Sequence, residues 1–163
     1  MRIEVENDLK NHFKFDFETN IKDILRKLPK DHLVGLDRIE VRYAAADKYA
    51  RDTYALYYGR DTGVKFPKIV LCVGNIFEDL PKILLRQIPL LPKLLLAKNI
   101  FHELAHHCQT RQHGISKEEQ EKQARAYANK MIKRCFKYEL LLLWLLFWPF
   151  LLLRSLLKKI NKW

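Results

Sequence analysis

Apolar residues recur at helical spacing between Asn20 and Leu28, where Ile21, Ile24 and Leu25 share one face and Pro29 closes the segment. The period then shortens to two. Ile39-Glu40-Val41-Arg42-Tyr43 alternates apolar with polar, as a half-buried strand does. A second strand is expected from Thr53 to Tyr58 and a third, rich in β-branched residues, from Lys68 to Val73. Gly59-Arg60-Asp61-Thr62-Gly63 between the last two has turn chemistry, so they are expected to form a hairpin within a small sheet of at least three strands.

Helical periodicity returns in a leucine-rich stretch from Pro81 to Leu96. Pro81, Pro89 and Pro92 prevent one straight helix through it, because an interior proline costs roughly 3 kcal/mol. Pro92 suits the first turn of a new helix running to about Gln112, which Gly114 then ends. Ser116-Lys117-Glu118-Glu119 carries the capping-box pattern for another, continuing to about Lys137.

The pattern changes once more from Leu140 to Leu153, fourteen residues without a charge. That is short of the roughly 20 needed to span a bilayer. Widening the window to Tyr138–Leu157 reaches that length and includes Glu139 and Arg154 near its ends. Lys130, Lys133, Arg134 and Lys137 precede the run; Arg154, Lys158, Lys159 and Lys162 follow it. Basic flanks of this kind suit anionic head groups, and a segment apolar all round is hard to bury in so small a domain. The segment 138–163 is therefore expected to associate with membrane, spanning it or lying in its interface, and residues 1–137 to form the folded domain.

The chain has 163 residues, enough for one domain with its own core, and a formal net charge of +11 that favours an anionic partner surface. No nucleic-acid-binding motif is present, and the lysines are not interleaved with aromatics along one element, so lipid is preferred to nucleic acid. Cys72, Cys108 and Cys135 form no CxxC pair and read as free thiols. The first residues contain no apolar h-region, and the folded part is expected in the cytoplasm.

The chemistry centres on His102-Glu103-Leu104-Ala105-His106. Histidines four apart on a helix point the same way, so both imidazoles can reach one Zn²⁺ at about 2.0–2.1 Å. Glu103 is rotated off that face and can take a proton from an attacking water without occupying a coordination position. A third ligand is required. His113 is on the same face, yet on a continuing helix it stands about 10 Å further along the axis. His107 and Cys108 point away from the metal face. Glu121 lies five residues into the next helix; if that helix runs antiparallel to the first, Glu121 returns to the height of His106. Ala124 and Ala128 lie on the same face and allow close helix approach.

With these residues in place, His102-Glu-Leu-Ala-His106 followed by Glu121-Lys-Gln-Ala124-Arg-Ala-Tyr127-Ala128 resembles the gluzincin metallopeptidases, and more narrowly the compact minigluzincin and ImmA/IrrE-type proteins. The resemblance covers roughly residues 20 to 135. It implies an α+β fold in which a helix and a short twisted sheet, with an edge strand beside the cleft, precede the active-site helix. It also implies that the strand Lys68–Val73 holds an extended substrate backbone. Arg125 departs from the pattern, which usually has Asp or Asn there to hydrogen-bond and orient a ligand histidine. A histidine or tyrosine for the oxyanion is implied but has no assigned position; Tyr127 reads as packing between helices. The expected function is thus a zinc endopeptidase acting on an extended peptide or protein at or near a membrane. The competing readings are a latent or non-catalytic zinc-stabilised domain, and a basic membrane-binding protein whose HExxH is accidental.

Overall fold

A computed structural model describes residues 1–46, 52–59, 63–109, 115–145 and 148 of the chain, with backbone only at Lys10 and Asn11. Its elements run β1 (Arg2–Val5), α1 (Leu9–Phe13), α2 (Phe17–Arg26), a 3₁₀ turn (Lys30–Leu33), β2 (Arg38–Arg42), β3 (Ala55–Tyr58), β4 (Lys68–Cys72), α3 (Val73–Phe77), α4 (Lys82–Gln87), α5 (Leu90–Gln109) and α6 (Lys117–Cys135). Residues 137–145 are again helical. The fold is mixed α+β, as the periodicity predicts.

The four strands are ordered β1-β2-β4-β3. β1 pairs with β2 and β2 with β4 in parallel, and β3 runs antiparallel along β4, with Ala55 opposite Leu71 and Tyr57 opposite Ile69. The expected pairing of the last two strands is present; β1 is an additional strand. Ile39, Val41, Ile69 and Leu71 are buried on one face of the sheet, joined in the core by Ile21, Ile24 and Leu25 of α2 and Leu96, Ile100 and Leu104 of α5.

Local chemistry sets the helix ends. α2 starts earlier than its apolar spacing suggests, because the Asp16 side chain accepts from Thr19 N at 3.0 Å and caps it. Pro92 falls in the first turn of α5, where its missing N–H has no intrahelical partner to lose. The Ser116 hydroxyl accepts from Glu119 N at 3.3 Å and opens α6. The intervening residues 110–114, with His113 and Gly114, lie outside the described residues. Ala124 and Ala128 are buried where α6 packs on α5.

On the other face of β2, Glu40 is almost fully buried among cations. Arg38 Nε, Arg42 Nη2 and Lys68 Nζ donate to it at 2.9, 2.6 and 2.8 Å. Burial opposes its charge, but the hydrogen bonds from Lys68 and Arg38 overcome this and hold the carboxyl at about 2. A lowered folded-state pKa stabilises the fold above the ordinary carboxylate range, and this contribution disappears as pH falls toward 2. Glu40→Gln is therefore expected to cost about 2–3 kcal/mol at pH 7 and much less near pH 2–3, measured by urea unfolding at the two pH values.

The C-terminal segment emerges from the core. Phe136 is fully buried, and Glu139 pairs with Lys27 at the C-terminal cap of α2. Leu141, Leu142, Trp144 and Leu145 are exposed. No helix among the described residues is long and apolar enough to cross a membrane. Most of the expected run beyond Leu145 lies outside the described residues. Cys72, Cys108 and Cys135 are free thiols.

Candidate metal centre

α5 brings His102 and His106 to one face, one helical turn apart, and α6 supplies Glu121 opposite them. The two Nε2 atoms are 3.3 Å apart. Glu121 straddles the pair, with Oε2 at 3.4 Å from His102 Nε2 and Oε1 at 3.3 Å from His106 Nε2. One ligand atom from each of the three residues lies within 4.8 Å of the others, a set that could hold a metal ion. The two imidazole nitrogens stand at the separation of two ligands on one tetrahedral cation, and Glu121 presents a different oxygen to each. A tetrahedral cation with bonds of about 2.0–2.1 Å has ligand atoms about 3.3–3.4 Å apart, and three protein donors leave its fourth position open.

The electrostatics suit neutral donors. Burial and the neighbouring His106 pull the His102 pKa down, against the opposing pull of Glu121. A neutral imidazole keeps the lone pair that coordinates a metal.

Glu103 is not one of the three. It is buried on the adjacent flank of α5, with only 7 % of its surface exposed. Burial, reinforced by the charge of Glu121, pushes its carboxyl up to about 7, although the backbone N–H of Tyr57 donates to it. Tyr57 belongs to β3, so the outer edge of the sheet lies directly over this carboxylate. The same tyrosine hydrogen-bonds His107, its OH lying 2.9 Å from Nδ1, while His107 Nε2 donates to Val34 O at 3.0 Å. His107 is thus engaged away from the metal face, as is Cys108, whose Sγ is directed at His32 O. Tyr127 ties α6 to the 3₁₀ turn, its OH at 2.6 Å from His32 Nδ1, and burial pushes its hydroxyl pKa up.

One expectation requires correction. β4, the strand Lys68–Cys72, cannot hold a substrate backbone, because β2 and β3 pair along both of its sides. The strand on the cleft is β3. Periodicity distinguishes the two faces of a strand but not its neighbours, so the edge position could not be read from the sequence.

An open cleft of about 1210 Å³ runs past the site, walled by residues 53–57 on one side and by α5 and α6 on the other. His102, Glu103, His106, Glu121 and Arg125 all line it. The histidine or tyrosine implied for the oxyanion has no position in the sequence pattern; Tyr54 and Tyr57 of the edge-strand segment line this cleft. Comparison with family models, with curated proteins and with solved structures found no match.

Proposed function

We propose that the protein is a zinc-dependent endopeptidase of the gluzincin type, with His102, His106 and Glu121 as metal ligands and Glu103 as general base. The observation that carries this reading is the donor set of His102, His106 and Glu121, one ligand atom of each within 4.8 Å of the others, placed beside a buried carboxylate in an open cleft. Two imidazoles and one carboxylate with an open fourth position form a donor set typical of catalytic zinc. Bound there, zinc supplies Lewis acidity to a water and to a carbonyl.

The remaining chemistry belongs to the chain. Glu103, with a proton affinity near neutrality, takes the proton from the attacking water and delivers it to the departing amine. β3, an edge strand, supports an extended peptide across the cleft. Arg125 contributes positive charge at the triad, acting on His102. The exposed Leu141, Leu142, Trp144 and Leu145, following the basic Lys130, Lys133, Arg134 and Lys137, support a membrane-proximal site of action.

The test is metal analysis of protein purified without added metal, followed by cleavage of a peptide library with and without anionic vesicles. About one equivalent of zinc is expected, with cleavage abolished by a chelator and restored by zinc. Zinc retained without any cleavage would instead establish the latent or structural reading. No metal at all would leave the HExxH as an accident.

A further inference from the structure

The cations of this cleft are placed in relation to the triad. On α5, Lys98 lies one turn before His102; on α6, Lys117 and Arg125 lie one turn before and after Glu121. All three line the cleft, are exposed, and form no ion pair among the described residues. Some cations elsewhere are paired, among them Lys22 with Glu18, Lys93 with Asp23, and Arg38, Arg42 and Lys68 with Glu40.

The two helices are antiparallel. Gln109 Nε2 donates to Gln120 O at one end, and the Phe101 ring meets Phe136 at the other. Arg125 therefore stands with Lys98 toward the His102 end, and its charge acts on His102; Lys117 stands beyond the His106 end. Four residues of helix advance about 6 Å along the axis. In an extended peptide, side chains on one side recur at roughly 6.6 Å. A peptide lying along β3 would bring side chains on either side of the bond at the triad past the two basic ends of the cleft.

We infer that the cleft selects acidic peptides, its basic ends reading carboxylate side chains that flank the bond presented to His102, His106 and Glu121. The inference rests on the peptidase reading for what reacts, and on the charges alone for what binds.

The experiment uses the full chain with zinc and two fluorescent ten-residue peptides, one with Glu at alternate central positions and one with Gln in the same places. Each is made with a free and with an amidated C-terminus. Binding is read by anisotropy, and cleavage by mass spectrometry on the same samples. The Glu peptide is expected to bind about five- to twenty-fold tighter at about 0.1 M salt, whichever its terminus, with the difference shrinking at higher salt. Lys98→Gln, Lys117→Gln and Arg125→Gln together should remove most of that difference, whereas Lys22→Gln, outside the cleft, should keep it. Equal binding of the two peptides, a preference that survives the triple substitution, or a preference only for free termini would overturn the inference. A preference that follows the cleft cations without any cleavage would sustain it while removing the peptidase reading.

Discussion

Glu103→Gln is expected to lower peptide cleavage by roughly 10²–10⁴ or more while leaving zinc near one equivalent. Glutamine keeps the size and shape of the side chain and can still accept the Tyr57 backbone N–H that reaches it. What it lacks is the ability to take a proton from water. Glu103 lies outside the donor triangle, so its loss removes no ligand. Stability gives an independent control. Burial and Glu121 raise the folded-state pKa of Glu103 to about 7, so its ionised form opposes folding above the ordinary carboxylate range. Metal-free Glu103→Gln should therefore melt higher than metal-free wild type at pH 8, with the gap closing toward pH 4. A variant inactive, loaded with zinc and at least as stable as wild type has lost chemistry rather than structure. Equal cleavage by variant and wild type would mean that another protease is present.

The second large effect concerns the metal. His102→Ala and His106→Ala should each abolish stoichiometric zinc binding, and Glu121→Ala should weaken it severely, because each removes one corner of the triangle. His113→Ala should hardly change it. Zinc per chain after dialysis measures this directly. Thermal unfolding provides the second measurement: zinc at about a thousand times its Kd adds about 4 kcal/mol to the wild type, and the alanine variants should lose that increment. If His113→Ala abolishes binding while Glu121→Ala does not, the ligand set is different and the triangle has another role.

Much of this was legible in the sequence because it depends on local spacing. Two histidines at i and i+4 must share a helix face, and Ser116 three residues before Glu119 marks a helix start. Glu121 could be placed at the height of His106 because a turn between two helices fixes how far the second returns along the first. β1 went unread: Arg2-Ile3-Glu4-Val5 does alternate, but four residues give too little periodicity, and only its pairing with β2 identifies it as a strand. The roles of β3 and β4 were inaccessible for a different reason. The chain places β4 between β2 and the earlier β3, and strand order is not encoded in the facing pattern of any one strand. Lys98 and Lys117 were visible at one-turn spacing from the ligands, but their meaning depends on a cleft that only the fold creates.

That strand order also divides the site by the distances the chain must close. The ligand half is a helical hairpin, with Gln109 bonded to Gln120 across only 11 positions. The Glu103 half depends on β3, whose Tyr57 reaches across 50 positions to His107 and can dock only against a β4 already in place. Loop-closure entropy rises with separation, and local contacts form sooner than distant ones. The corner formed by His102, His106 and Glu121 thus belongs to the early-forming, low-contact-order part of the fold. The wall that covers Glu103 belongs to the late part, so on the proposed reading a folding chain can take up zinc before it has a cleft in which to use it.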